Sequence, residues 1–309
     1  MPLASTLQLP RLTINLLPIY IASFCLLWSF AFVAGKIGVT DCPPLILLAA
    51  RFLLAGALIL GLSLARQGAW SMSLRDMGVY ALLGVANNAL YLGLGYVGLQ
   101  TVSAGLGGLI VSTNPVLTAI LAALLLGEPL TWRKVAGLAL GVGGVAYIVA
   151  HRMSVGTDAL GGILFTFASL AAIVAGTVLF KRLAPKGNLW VGNGIQNLSA
   201  GLAVAPFALA LSSVGDIVPS ARLLGAFTFL VVCGSIVAFL LWFHLLTVCG
   251  ATAASSFHFL MPPLGMLFAW LVLDEQLVVE DLLGIVPVAL GIYLVTRPAG
   301  VRGLQGSKA

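Results

Sequence analysis

The feature of this sequence that most constrains its fold is a series of apolar runs, each about 20 residues long. A helix of that length crosses the roughly 30 Å hydrocarbon core of a bilayer, because each residue adds about 1.5 Å. Since 61% of the 309 residues are hydrophobic and 8% are charged, a soluble globule would lack a polar surface. We predict an all-α polytopic membrane protein with ten transmembrane helices. The predicted spans are 16–35, 44–65, 76–97, 102–126, 134–150, 159–180, 190–211, 222–246, 251–273 and 281–296.

The basic residues indicate how these helices are oriented. They are dispersed among helix ends and do not form one basic run, so we interpret the net charge of +6 as a sign of how the chain is oriented in the membrane. No nucleic-acid partner is expected. With the N-terminus in the cytoplasm, eleven of the 15 Lys and Arg residues fall inside, three fall outside, and Arg51 lies within the second helix. The run 16–35 is longer than the apolar core of a secretory signal, and we interpret it as the first helix. We expect a multi-pass protein of the plasma (inner) membrane, in contact with membrane lipid, with both termini cytoplasmic.

Two phrases 147 positions apart indicate an internal repeat. Residues 127–134 read GEPLTWRK, and residues 274–281 read DEQLVVED. At the same offset, nine of the thirty residues in 115–144 are identical to their counterparts, and the matches include Pro115 with Pro262. Similarity at a fixed offset along the chain indicates duplication of a structural unit.

We predict two five-helix repeats, 1–150 and 151–309, which form one membrane domain. Because five is odd, the second repeat enters the membrane in the opposite sense, and each of its loops faces the opposite side from its counterpart. This explains why the first phrase ends in basic residues and the second in acidic ones. An inverted repeat is typical of secondary transporters, which bind substrate near the midplane and alternate access by rocking the halves. The matched pair Glu128 and Glu275 is expected to accept hydrogen bonds from backbone N–H groups where the next helix begins.

The sequence also resembles a known family. Residues 238–277 read AFLLWFHLLTVCGATAASSFHFLMPPLGMLFAWLVLDEQL, and residues 105–130 read GLGGLIVSTNPVLTAILAALLLGEPL. Both are similar to the half-signatures of the drug/metabolite transporter superfamily, in its ten-helix EamA-type branch. The second copy departs from the usual ending, with Asp274 where glycine is common and Gln276 in place of proline. The resemblance implies export of amino acids and other metabolites, with amino acid exporters of the YddG kind as the type expected within the family.

Several kinds of chemistry lack their usual residues. The chain contains no G-x-x-x-x-G-K-[ST] phosphate cradle and no H-E-x-x-H motif, and its four cysteines lack the spacing of a zinc or redox site. We expect no enzyme, no metal and no cofactor. All nine acidic residues fall in loops or at helix ends, whereas ion-driven carriers usually place a carboxylate within the membrane. This pattern predicts movement of the solute down its own gradient, or weak proton coupling through a histidine.

One charged residue and three prolines are candidate site residues within the membrane. Arg51 is either the counter-ion of a substrate carboxylate or an arginine that snorkels outward or bonds to neighbouring carbonyls. Pro115, Pro262 and Pro263 interrupt the fourth and ninth predicted helices, because proline removes a backbone donor. Matching interruptions in both repeats mark either the binding site or packing kinks.

Polar and aromatic side chains gather around these positions at helical spacing. Any one of these side chains can be explained by packing between helices. Together they describe a cavity with amide and hydroxyl groups and aromatic walls, which suits an amino acid. His258 is either a hydrogen-bonded structural histidine or a group that titrates. The predicted substrate-binding residues are Trp28, Ser29, Arg51, Asn87, Asn88, Tyr91, Ser112, Asn114, Trp242, Ser255 and His258.

The predicted function is export of small metabolites by alternating access, with amino acids, including aromatic or neutral ones, as the small-molecule substrate. The alternatives within transport are a nucleoside, a sugar or a lipophilic compound. The alternative outside transport is a receptor or scaffold that carries no solute. No oligomeric state is predicted.

Overall fold

A computed structural model of the chain describes residues 16–67, 72–111, 113–126, 131–155, 158–183, 185–249, 254–255, 257–276 and 278–296. Every longer regular element in these ranges is helical, and the helices follow the ten predicted spans, so the predicted fold class is confirmed. The helices are α1 (Leu17–Asp41), α2 (Pro44–Gln67), α3 (Leu74–Leu99), α4 (Ala104–Val111 and Asn114–Leu126), α5 (Trp132–Val155), α6 (Leu160–Leu183), α7 (Leu189–Leu211), α8 (Ala221–Cys249), α9 (Phe257–Leu260 and Met261–Leu273) and α10 (Val279–Thr296).

Local sequence sets several of the helix starts. The side chains of Ser73, Asn188 and Ser220 precede α3, α7 and α8, and each accepts a hydrogen bond from a backbone N–H in the first turn. Such caps satisfy donors that the helix itself leaves free. The α2 helix begins at Pro44, whose fixed φ suits the first helical position.

The outer surface of the bundle is apolar. Leu54, Leu58 and Leu62 recur every fourth residue along α2, and each exposes more than 40% of its surface. Such a stripe is stable against lipid tails, whereas in water it would promote aggregation. Within the described residues, α1 to α4 and α6 to α8 are each long and apolar enough to cross a bilayer. The protein is therefore built for a membrane.

The packing of the helices follows the predicted inverted repeat. In that repeat α1 to α5 correspond to α6 to α10. The most extensive contacts join α2 to its counterpart α7 and α5 to its counterpart α10. The contact of α3 with α6 is matched by that of α8 with α1, and the contact of α4 with α6 by that of α9 with α1. This is the pattern of a two-fold axis between the halves. The division of the chain at residues 150 and 151 stays a prediction.

The interfaces between counterpart helices are close because glycine removes the side chain. A Cβ added at Gly56 on α2 would lie 2.7 Å from the backbone nitrogen of Leu198 on α7. A Cβ at Gly144 on α5 would lie 2.6 Å from the carbonyl oxygen of Gly284 on α10. Small residues at such positions let membrane helices approach and hold the central helices in place.

Each half also contains a π-helical segment at a corresponding position. Val85–Leu90 forms one within α3, and Leu230–Ala238 forms the other within α8, which is the counterpart of α3. A π turn inserts an extra residue, so it shifts the following side chains around the helix and leaves a carbonyl without its usual partner. Both segments lie beside the central cavity described next.

Candidate functional site

A central cavity lies between α1, α2, α3, α4, α6 and α8. Because these helices come from both halves, the cavity occupies the interface that the inverted repeat predicts for substrate. Its wall is aromatic and aliphatic, with a few hydroxyl groups and one guanidinium. The lining residues are Trp28, Ala31, Phe32, Arg51, Tyr91, Leu92, Gly95, Tyr96, Leu99, Gly107, Val111, Thr166, Ser169, Gly234, Ala238 and Phe239.

The cavity is contracted in this conformation. Its free volume is about 40 Å³. The central space is therefore small in this conformation.

Arg51 on α2 is the charged residue of the cavity wall and is 2% exposed. Its Nε donates to Ser235 Oγ at 2.7 Å, and its Nη1 donates to the Tyr96 hydroxyl at 2.8 Å. Its guanidinium also lies 5.9 Å from the centre of the Tyr96 ring, within cation–π range. The side chain points inward and does not snorkel toward the membrane surface. Both hydrogen-bond partners are neutral, so the positive charge is not neutralised by them.

Two asparagines on α7 bind the carbonyls that the π segment of α8 leaves exposed. Asn193 Nδ2 donates to the Ser235 carbonyl at 3.0 Å, and Asn197 Nδ2 donates to Asn193 Oδ1 at 2.9 Å. On α3, the carbonyl of Tyr91, just after the other π segment, accepts from Ser169 Oγ at 2.6 Å. These bonds fix the backbone that presents Ser235 to Arg51 and Tyr91 to the cavity.

An aromatic cluster adjoins the cavity on the side nearer the Leu17 end of α1. Trp28 stacks on Tyr91 with ring centres 6.5 Å apart and lies 5.1 Å from Phe239. Behind Trp28, the His258 ring makes edge contacts with Trp28 at 5.5 Å and with Trp242 at 4.8 Å. Trp28 and Tyr91 thus face the cavity, and Trp242 and His258 support them.

Charged side chains close the Asp41 end of the bundle above the cavity. We call Lys36, Asp158 and Glu275 the capping cluster. Lys36 Nζ donates to the carbonyls of Leu99 and Val102 at 2.6 and 2.8 Å, where α3 ends.

The acids of the capping cluster bind the beginning of α4. Asp158 accepts from the backbone N–H of Ser103 at 2.6 Å, and Glu275 accepts from those of Ala104 and Gly105 at 2.8 and 3.1 Å. Carboxylates are stabilised there because the helix dipole is positive at an N-terminus. Lys36 and the start of α4 belong to the first half, and the two acids belong to the second, so the cluster joins the halves.

The prediction for Glu275 was correct in its chemistry and wrong in its partner. The sequence predicted that Glu275 caps the next helix, α10, but it caps α4. Asp274, which ends α9 with a left-handed φ of 53°, turns the chain at this point. Glycine is usual at such a helix end, and Asp is among the few other residues that tolerate it. Glu128, the counterpart of Glu275 in the first repeat, lies outside the described residues.

The structure brings three of the predicted site residues, Trp28, Arg51 and Tyr91, to the cavity wall. Trp242 and His258 lie behind that wall, and His258 Nδ1 is 3.2 Å from the Ser255 carbonyl. Five further residues are buried elsewhere in the bundle, each with a side-chain polar atom that has no hydrogen-bond partner in the described part of the chain. They are Ser29, Asn87, Asn88, Asn114 and Ser255.

The predicted helix breaks fall at the corresponding places in the two halves. Thr113 lies in a turn between the two stretches of α4, and Pro115 is in the first turn of the second stretch. In α9, a 3₁₀ turn precedes Met261, and Pro262 and Pro263 follow at once. Ser112 lies outside the described residues. The side chain of Pro262 is likewise outside them.

Sequence reasoning missed the partners of Arg51 and the capping cluster. Neither Tyr96 nor Ser235 was singled out from the sequence, and Ser235 has no motif around it. The repeat held a usable signal, because Ser235 lies 147 positions after Asn88, which was predicted as a site residue. Lys36 was counted only as an outer charge.

Comparisons with known proteins show which family the chain belongs to. The family model described as the EamA-like transporter family matches residues 16–150 and again residues 160–297. An uncharacterized transporter of Synechocystis sp. is 28% identical over 88% of this chain and 87% of its own. A probable amino-acid metabolite efflux pump of Escherichia coli is 24% identical over 91% of this chain and 93% of its own.

A chain of known crystal structure has the same fold. It superposes with a TM-score of 0.67 and covers 91% of this chain and 96% of its own, at 19% sequence identity. The family match spans both halves of the chain, and its two copies agree with the repeat seen in the helix packing. The protein is a multi-pass membrane transporter of small molecules that belongs to the EamA-like transporter family of the drug/metabolite transporter superfamily.

Proposed function

We propose that this transporter exports amino acids, including aromatic and neutral ones, across the plasma membrane by alternating access. The observation that carries the proposal is the central cavity, which combines one buried guanidinium with an aromatic wall. Arg51 supplies the guanidinium, and Trp28, Tyr91 and Phe239 supply the wall. A guanidinium is suited to a carboxylate because its planar N–H groups match the two oxygens.

The geometry supports a defined orientation of the solute. Tyr96, which binds Arg51, lies five residues after Tyr91 on α3, and that spacing corresponds to about 7.5 Å along a helix. The carboxylate is placed at Arg51 and the side chain against Trp28 and Tyr91. The ammonium group then meets hydroxyl oxygens and aromatic faces, which attract cations.

Alternating access follows from how the capping cluster joins the two halves. If both termini are cytoplasmic, the Asp41 end of α1 faces the outside, and the cluster closes the outer route to the cavity. Rocking one half against the other separates Glu275 from Ala104 and Gly105 and opens that route. No acidic residue lines the cavity in the described part of the chain, so the proposed movement is uncoupled or weakly proton-coupled.

The test is efflux from proteoliposomes that contain the purified protein and a panel of amino acids, nucleosides and sugars. We expect efflux of aromatic and neutral amino acids. Trp28→Ala and Tyr91→Ala should slow it about tenfold or more, since each removes a large contact surface. Leu58→Ala, on the exposed face of α2, is the control and should leave efflux unchanged.

Two results would refute the proposal. Efflux of nucleosides or sugars with no efflux of amino acids would remove the substrate assignment. Unchanged transport and selectivity in both Trp28→Ala and Tyr91→Ala would place the substrate outside this cavity.

A further inference from the structure

The charge in the cavity is unbalanced. Arg51 is buried and its guanidinium is held by two neutral hydroxyls, those of Tyr96 and Ser235. All nine acidic residues of the sequence fall in predicted loops or at the ends of predicted helices. They are Asp41, Asp76, Glu128, Asp158, Asp216, Asp274, Glu275, Glu280 and Asp281. In the described part of the chain the cavity lining therefore carries one positive charge and no carboxylate that could pair with a substrate cation.

From this imbalance we infer that the carboxylate alone is the recognised group, so that apolar monocarboxylates without an amino group are substrates as well. The inference rests on the proposed function and names its substrate class more closely. A monocarboxylate neutralises Arg51, and the filled cavity is then uncharged. A zwitterionic amino acid also neutralises Arg51, but it adds an ammonium group that meets no anion. Buried charge without a partner is unfavourable, so the monocarboxylate binds at least as well.

The hydroxyl groups of the lining do not alter this balance. Thr166 Oγ1 donates to the Gly162 carbonyl at 2.9 Å, and Ser169 Oγ donates to the Tyr91 carbonyl at 2.6 Å. Their remaining lone pairs accept a hydrogen bond from an ammonium group, yet they are bonded within the protein when that group is missing. When the substrate has no amino group, the hydroxyl groups of both side chains therefore still donate their hydrogen bonds within the protein. An amine without a carboxylate is in the opposite position, because it brings a second positive charge beside Arg51.

The test uses three molecules of the same skeleton: phenylalanine, 3-phenylpropanoate and phenethylamine. Direct binding of each radiolabelled compound is measured at pH 7.5 on the purified full-length protein in detergent, which avoids passive diffusion through lipid. We expect 3-phenylpropanoate to bind at least as tightly as phenylalanine and phenethylamine to bind about tenfold more weakly or worse. Efflux of phenylalanine from proteoliposomes is measured in parallel and reports the proposed function.

Variants of Arg51 connect the result to this residue. Arg51→Gln, which removes the charge and keeps a polar side chain, should weaken binding of both carboxylates about tenfold or more and remove the discrimination against phenethylamine. Arg51→Lys keeps the charge and should keep the preference for carboxylates, which a purely structural arginine would not require. Arg75→Gln is the control, since Arg75 is 68% exposed, and it should bind like the parent. Thermal unfolding of each variant confirms folding.

The outcomes separate the two proposals. Binding and efflux of phenylalanine without binding of 3-phenylpropanoate would overturn the inference and leave the proposed function standing. Binding of 3-phenylpropanoate without efflux of phenylalanine would support carboxylate recognition and overturn amino acid export. Equal binding of all three compounds, or of none, would overturn the inference. An Arg51→Gln variant that is folded and still prefers the carboxylates would also overturn it.

Discussion

Replacement of Glu275 by glutamine tests whether the capping cluster holds the outer route closed. In the parent, the carboxylate accepts from two backbone N–H groups, those of Ala104 and Gly105, at 2.8 and 3.1 Å. Glutamine keeps one acceptor oxygen and loses the negative charge. The closed state then loses one charge-assisted hydrogen bond, worth about 1.5–3 kcal/mol, and the helix-dipole attraction, worth about 0.3–1 kcal/mol. Because the site is half-exposed, solvent screening reduces the sum, and we take about 1–3 kcal/mol.

That change has a direct effect on populations. A shift of about 1–3 kcal/mol between the closed and open states changes their ratio roughly 5- to 150-fold. A cysteine that is reached only from the open state should therefore react with a membrane-impermeant reagent faster by a similar factor.

The assay places a cysteine at Ala31, which lines the cavity, in a protein whose four native cysteines have been replaced. The rate of labelling by an impermeant maleimide, added from outside to intact cells, is compared between parent and Glu275→Gln. Asp274→Asn is the matched control, because it removes a charge from the same loop at an exposed position. We expect faster labelling in Glu275→Gln and the parent rate in Asp274→Asn. If Glu275→Gln labels at the parent rate or more slowly, the capping cluster does not stabilise the closed state.

Two further predictions concern packing and coupling. Gly176→Ala on α6 should lower the free energy of unfolding by about 1–3 kcal/mol, since its Cβ would collide with the Asn87 amide. Gly161→Ala on the same helix is the control, because its Cβ meets open space and should not change stability. Equal thermal unfolding of the two variants in detergent would contradict the packing at Asn87. Amino acid efflux from proteoliposomes should proceed at a similar rate with and without an imposed proton gradient, because no acidic residue lines the cavity in the described part of the chain. Strict dependence of efflux on the gradient would contradict the uncoupled mechanism.

The sequence could predict the arrangement of helices because two strong physical signals set it. Apolar runs of membrane length determine where α1 to α10 form, and the reversal of charge between the two related phrases determines that the halves are inverted. The first signal is local in the sequence, and the second repeats at a fixed offset. The helix packing agrees with the predicted repeat, since α2 packs against its counterpart α7 and α5 against its counterpart α10.

The capping cluster could not be predicted in the same way, because its contacts join distant positions. Glu275 binds the N–H of Ala104 across 171 positions, and no pattern in the sequence connects them. The usual expectation, that an acid before a helix caps that helix, gave the wrong partner. The π segments were also missed, since a single inserted residue in a helix has no compositional signature.

Three of the predicted site residues lie at the wall of the cavity. Arg51 was selected as a charge within the membrane, and Trp28 and Tyr91 were selected from polar and aromatic residues at helical spacing. Asn114 was selected by the same criterion, but its Oδ1 accepts a hydrogen bond from Thr118 at 2.7 Å within α4. Spacing shows which residues share a helix, but it does not show which face of that helix meets its neighbours.

The unpaired charge of Arg51 has an electrical consequence for the transport cycle. A carrier loaded with a monocarboxylate is neutral at its centre, whereas the empty carrier holds one positive charge there. Moving one charge through the full membrane field changes the free energy by about 2.3 kcal/mol per 100 mV. An inside-negative potential therefore favours the step in which the empty carrier turns back toward the cytoplasm. If monocarboxylates are carried as we infer, each such cycle moves one negative charge out of the cell, and the membrane voltage then favours their export; a zwitterionic amino acid moves no net charge.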